Sequence, residues 1–162
     1  MKHIISALVE NKAGVLAHIS GLFSARGFNI DSLAVGETED PDLSRMTIVV
    51  AGDDAILEQV RKQLANVVNV VKVQDFSNRS YVERDLVLVK VKVPEGKRGE
   101  ILELADVFRA NIVDVGTDQL MIELVGNEEK VEALLDLLRP YGVVQMARTG
   151  RIALTRSSRT GQ

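Results

Sequence analysis

The chain has 162 residues, 46% of them hydrophobic and 4% aromatic, with no cysteine or tryptophan and a net charge of −3. That is enough for one domain or two small ones around a Val/Leu/Ile core, and it excludes disulfides, thiolate zinc sites and cysteine nucleophiles. Charges of both signs are interspersed, which leaves no electrostatic footprint for nucleic acid, and no apolar run approaches the ~20 residues of a membrane span.

In chain order, Ile4 to Val9 is a strand-like apolar run and not a signal peptide. Val15, Leu16, Ile19, Leu22 and Phe23 recur at helical spacing, and Gly27 is a natural stop. Asn29 to Val35 and Met46 to Val50 read as strands, separated by a polar hairpin loop from Glu37 to Asp42. Gly52-Asp53 caps a second helix with Ile56, Leu57, Val60 and Leu64 on one face, and Val67 to Val73 is a fourth strand. The order is βαββαβ.

Polar residues from Asp75 to Glu83 then mark a linker. Leu86 to Val93 carries valine at alternate positions, Ile101, Leu102, Ala105 and Phe108 mark a helix, and Asn111 to Val115 and Leu120 to Val125 are strands. Asn127 caps a last helix with Glu128 and Glu129 in its first turn and Pro140 beyond its end. Val143 to Ala147 closes the series, with an extension towards Leu154 left open. The second series repeats the first. Gly52-Asp53, Leu57, Val60 and Leu64 match Gly126-Asn127, Val131, Leu134 and Leu138 at an offset of 74 (52 to 126), and Asn29-Ile30 matches Asn111-Ile112 at an offset of 82 (29 to 111). The expected fold is α+β, two ferredoxin-like βαββαβ domains over residues 1–76 and 84–156, a linker at 77–83 and a disordered tail at 157–162. Helices cover one face of each sheet, and the free strand edges invite a second chain.

The candidate site is the turn Asn11-Lys12-Ala13-Gly14-Val15-Leu16, which leaves the first strand and opens the first helix, together with Asn29-Ile30 at the start of the second strand. Helix N-termini carry unpaired N–H groups and partial positive charge. The N–H groups of Gly14 and Val15 suit a ligand carboxylate, the amides of Asn11 and Asn29 suit an ammonium or carboxylate, and an added Cβ at residue 14 would intrude on such a ligand. The spacing alone favours a plain turn, with Asn11 as a helix cap and Gly14 merely permitting the bend. An enzyme finds little support. His3 and His18 are the only histidines, and no HExxH, GxSxG, Walker or GxGxxG pattern occurs. The acidic loop lacks calcium-loop spacing. RNA-binding modules of this strand order place aromatics on central strands, where Val, Ile, Met and Leu stand here, and Gly96-Lys97-Arg98-Gly99 reads as a strand-to-helix turn.

The segments Glu10 to Leu16, Arg26 to Leu33, Leu43 to Thr47, Glu83-Arg84-Asp85-Leu86 and Ala147-Arg148-Thr149-Gly150 resemble the small regulatory subunit of acetolactate synthase (acetohydroxyacid synthase). The first half alone is similar to the broader class of ACT ligand-sensing domains. The resemblance implies a cytoplasmic, non-catalytic subunit with no cofactor of its own. It implies a homodimer through the ACT domains and a large catalytic partner carrying thiamine diphosphate, magnesium and FAD. It also implies activation of that partner and feedback inhibition by valine in branched-chain amino-acid synthesis, with neither nucleic acid nor membrane as a partner. Ligand would lie between the strand–helix loop of one chain and the first helix and second strand of the other. The matching effector positions are Asn11, Ala13, Gly14, Val15, Leu16, Asn29 and Ile30. Arg26 and Arg45 are candidates for the surface that meets the catalytic subunit. The alternative is a free-standing ACT-type amino-acid sensor acting on another enzyme or on transcription.

Overall fold

The computed structural model of the chain describes residues 1–157, so all but the first residue of the expected tail lies outside the described residues. Its contacts divide the chain into two units, Met1–Val82 joined by the segment from Arg151, and Glu83–Gly150. Both expected βαββαβ series are present.

In the first unit, β1 (Lys2–Glu10), α1 (Val15–Arg26), β2 (Asn29–Glu37), β3 (Leu43–Ala51), α2 (Asp54–Ala65) and β4 (Val70–Asp75) follow in order. The sheet runs β2-β3-β1-β4, antiparallel throughout. Alternation along β1 decides what is buried where. Ile5, Ala7 and Val9 face the helices and join Met46, Ile48 and Val50 of β3 with Val15, Ile19, Phe23, Leu57, Val60 and Leu64 in one core. Ile4, on the opposite face, packs with Val49, Phe76 and Ala153, with Tyr81 against them. The polar stretch set apart as a linker is therefore partly built in: Phe76 is 2% exposed, and Tyr81 begins a strand. The extension towards Leu154 is a separate strand, β9 (Ile152–Thr155), which pairs with β5 (Tyr81–Lys92). The Arg156 N–H donates to Ser80 O at 2.9 Å. β4 starts three residues later than expected, because Val67 N–H bonds back to Leu64 O and Val70 N–H to Val67 O, turning the chain out of α2.

The second unit holds the rest of β5, then α3 (Arg98–Val107), β6 (Asn111–Val115), β7 (Gln119–Gly126), α4 (Glu128–Leu138), a single 3-10 turn (Arg139–Tyr141) and β8 (Val143–Arg148). Its strand path is β6-β7-β5-β8, and Val87, Val89, Val91, Leu120, Ile122 and Leu124 face the helices. Leu102, expected on the buried face of α3, is 39% exposed. Backbone irregularities repeat with the sequence. Asp31 is skipped in the β2–β3 register and Val113 in the β6–β7 register, an offset of 82 that equals the Asn29-to-Asn111 spacing. β4 and β8 each bulge against the central strand as well, between Leu8 and Val9 and between Lys90 and Val91.

Both expected asparagine and aspartate caps form. Asp53 accepts from Ile56 N–H at 3.0 Å and Asn127 from Lys130 N–H at 2.9 Å. Gly96 to Gly99 is a turn into α3, and Arg98 is committed to its own chain, donating to Gly116 O and Thr117 O at 3.0 Å each. The motifs around residues 83–86 and 147–150 meet at a buried carboxylate. Asp85, 2% exposed, accepts from Arg148 Nη2 at 2.6 Å and Nε at 3.0 Å, and Arg148 also donates to Glu132 at 2.9 Å. Partial burial works against the Arg148 charge, but hydrogen bonds to Asp85 and Glu132 outweigh it and hold its pKa above the ordinary arginine value. Thr149 Oγ1 accepts from Leu86 N–H at 3.1 Å and donates to Gly150 O at 2.8 Å, fixing the turn that follows β8.

Replacing Asp85 by Ala removes the chief partner of a partly buried cation and should cost about 2–3 kcal/mol. Asn127→Ala should cost about 1 kcal/mol, and thermal unfolding of the two variants should rank them in that order. On the surface, Tyr141 Oη donates to Glu100 at 2.8 Å and Lys97 lies 3.2 Å from the same carboxylate. The Tyr141 hydrogen bond, with that of Lys97, lowers the Glu100 pKa, and the bond to Glu100 raises that of Tyr141. On the acid side the contact stabilises above the unfolded carboxyl pKa and is lost as pH falls through the depressed folded value. On the alkaline side it stabilises below the unfolded phenol pKa and is lost as pH rises through the raised one. Tyr141→Phe should move the Glu100 midpoint upward in an NMR titration; an unmoved midpoint contradicts this cause.

Candidate effector site

β1 ends at Glu10, and the next residue is tied to the far side of the β2–β3 hairpin. The Asn11 N–H donates to Asp42 O at 2.7 Å. Its side-chain Nδ2 donates to Pro41 O at 3.0 Å and to Glu37 Oε1 at 3.2 Å. Both partners are pure acceptors, so the amide orientation is unambiguous. The two Asn11 donors are thereby used within the chain, and Oδ1 accepts no hydrogen bond among the described residues. Asn11 is therefore not the helix cap that the spacing allowed. The cap position of α1 is Gly14, in the left-handed region at φ 87°, with no capping side chain.

The opening turn of α1 is left to the solvent. Val15 N–H reaches Lys12 O only at 3.4 Å, and the first regular bond is His18 N–H to Gly14 O at 2.9 Å. Ala13, Gly14 and Leu16 are exposed. A β-carbon built on Gly14 meets nothing within 4 Å, so within one chain the glycine is required by its backbone conformation rather than by crowding. Val15 is 4% exposed and belongs to the core, which leaves only its main chain for a ligand. Leu16, 45% exposed, is the apolar side chain that stands free beside the turn.

Asn29 opens β2 opposite Ala51, exposed, and Ile30 packs half-buried against the core. Asn29 is not near Asn11. Ala51 also pairs with Lys2, the first residue of β1, whereas Asn11 follows Glu10, the last. Eight residue steps separate the two ends of β1, about 27 Å at the usual rise per residue. One chain thus brings together Asn11, Ala13, Gly14, Val15 and Leu16, and holds Asn29 and Ile30 at the other end of the same sheet. Glu37 is the member that sequence reasoning missed. It lies at the far end of β2 from Asn29 and its carboxylate touches Asn11; only the hairpin register connects them.

The histidines do structural or surface work. His3 is 6% exposed with Nε2 3.2 Å from Gly52 O, and His18 lies exposed beside a shallow groove of about 340 Å³ with Leu22, Gln63 and Asn66. The acidic hairpin is closed by its own groups, Thr38 N–H to Leu43 O and Asp42 N–H to Asp40 Oδ1, both at 3.0 Å. Among the described residues no cluster of three or more His, Asp or Glu side chains could hold a metal, and no helix is long and apolar enough to cross a membrane.

Comparison with known proteins finds family matches over both halves of the chain. Residues 5–72 match the family model described as an AHAS small subunit-like ACT domain, and residues 84–157 match that of the small subunit of acetolactate synthase. The chain belongs to the acetolactate synthase small-subunit family. It is 55% identical over 159 residues to a probable acetolactate synthase small subunit of Archaeoglobus fulgidus, covering 98% of this chain and 99% of that one. It is 50% identical over 157 residues to the acetolactate synthase small subunit of Mycolicibacterium smegmatis, covering 97% of this chain and 92% of the relative. The crystal structure of the acetolactate synthase small subunit from Thermotoga maritima superposes with a TM-score of 0.86 at 44% identity, covering 98% of this chain and 99% of that one. Both ferredoxin-like units, the first an ACT domain, thus belong to a small-subunit architecture.

Because the space around Gly14 is open, Gly14→Ala should leave the fold intact and cost only the left-handed backbone strain, about 1 kcal/mol. Chemical denaturation measures it; a loss of several kcal/mol would mean hidden crowding at the turn.

Proposed function

We propose that this chain is the regulatory subunit of acetolactate synthase, activating the catalytic subunit and conferring feedback inhibition by valine in branched-chain amino-acid synthesis. The observation that carries the reading is the uncapped start of α1 at Gly14. Its main-chain N–H groups and positive dipole end suit a carboxylate. Asn11 Oδ1, with its amide donors already used, offers an acceptor, and Glu37 adds negative charge beside it. Acceptors and a negative charge favour the ammonium of an amino acid, and exposed Leu16 supplies apolar surface for its side chain. Asn29 and Ile30 come from a second copy. β2 is an edge strand, and antiparallel pairing of two β2 strands about a two-fold axis sets Asn29 of one chain beside Glu37, and therefore Asn11, of the other.

Valine binding in this arrangement links occupancy to dimer geometry. A ligand that touches two chains favours the dimer arrangement it fits, and the catalytic subunit responds to that arrangement. Burial of the valine side chain is worth roughly 1.5–3 kcal/mol, and each hydrogen bond to its charged ends adds about 1.5–3 kcal/mol; neither class suffices alone once ordering is counted. Thiamine diphosphate, magnesium and FAD belong to the catalytic subunit, and the assembly works in the cytoplasm.

The combined change Asn11→Ala with Asn29→Ala should leave activation of the catalytic subunit in place and abolish valine inhibition. Gly14→Asp should do the same by setting a carboxylate against that of the ligand. Enzyme assays of the reconstituted complex with and without valine decide it, and full inhibition in the double variant would refute the location of the site.

A further inference from the structure

β4 is the other edge of the first unit's sheet, opposite β2. The Phe76 N–H donates to Ile4 O at 3.3 Å. By alternation along an antiparallel pair, residues 72 and 74 also bond inward, to β1, and the N–H and C=O groups of Val73 and Asp75 point away from the sheet. No strand lies on that side among the described residues. Instead there is a groove of about 540 Å³ lined by Lys72, Val73, Gln74, Asp75, Asn78 and Arg79.

The charge in this groove is positive. Lys72 and Arg79 are exposed and form no ion pair among the described residues. Asp75, the carboxylate present, already accepts from Ser77 N–H at 2.8 Å and Ser77 Oγ at 2.7 Å, and it faces Arg61 of α2. Lys72 also sits in one cross-strand row with Leu8 and Arg45 on the face turned away from the helices. Arg45 donates to Ser6 Oγ there, and Glu10 on the same face is paired with Lys12. A second copy of this chain on the same edge would set two cationic grooves together, which disfavours self-pairing. β2 differs: its stretch Ser32 to Gly36 carries no charge.

We propose that the β4 edge takes up an extended, carboxylate-bearing segment of the catalytic subunit as a further strand, a reading that rests on the regulatory role above. The outward N–H and C=O groups of Val73 and Asp75 supply the main-chain ladder, and Lys72 and Arg79 select acidic side chains. The charges act chiefly on encounter rate and salt dependence, and the ladder acts on residence time.

Hydrogen–deuterium exchange of the full chain, alone and with the catalytic subunit, tests this directly. The Val73 and Asp75 amides should exchange about tenfold more slowly in the complex. Lys72→Glu combined with Arg79→Glu should weaken assembly about tenfold or more at low salt, with the difference shrinking as salt rises. Val73→Pro removes one outward donor at an edge position where proline is tolerated and should speed dissociation. If that variant misfolds, exchange and charge reversal still decide the matter. Unchanged exchange at both amides in a formed complex, or full affinity of the charge-reversed chain, overturns this docking edge alone. Failure of the unaltered chain to bind or activate the catalytic subunit overturns the regulatory reading and this one with it.

Discussion

Asn11 and Asn29 stand at opposite ends of a nine-residue strand, and no side chain spans that distance. A single chain therefore keeps the two asparagines apart, whatever their side chains do. The turn after β1 gathers an uncapped helix start, a free amide acceptor and an exposed leucine, yet it lacks the second asparagine. Between them runs the β2 edge, whose stretch from Ser32 to Gly36 carries no charge, with Asp31 and Glu37 to either side. On the proposed reading, a twofold operation along that edge closes the gap, and ligand recognition and self-association then become one problem rather than two.

Much of the fold was legible because its signals are local and agree with one another. The glycine stop after α1, the Asp53 and Asn127 caps and the alternating valines of β5 each name their own element. The misjudged regions are those where tertiary packing overrides composition. Phe76 and Tyr81 sit in a polar run that looks like a tether, but their rings lie 5.2 Å apart over the back of the first sheet. Ala153 joins them from more than seventy residues away, a pairing that no periodicity announces. The late start of β4 has the same origin, since Val67 completes the core under α2 before the strand begins.

At the site, residue types were readable and their pairings were not. Glycine at a strand–helix turn signalled an open helix end. That Asn11 spends its donors on the β2–β3 hairpin depends on where Pro41 and Glu37 arrive, which the β3 register sets. The same holds in the second unit, where the meeting of Asp85 with Arg148 and Thr149 gives two distant motifs one structural job. The repeated bulges carry the internal symmetry further than the side chains do: Asp31 and Val113 have nothing in common chemically, yet each marks the skipped residue of an edge strand.

The return of β9 to the first unit makes that unit discontinuous in the gene. Its two pieces flank the second unit as if the latter were an insertion, so a single cut after residue 82 keeps the whole ACT match but does not yield a complete first unit. Such a fragment would lose Ala153 and bare Ile4, Val49 and Phe76 to water. Dissecting the protein into separately expressed halves therefore calls for reattaching the terminal strand through an artificial tether, or adding it back as a free peptide.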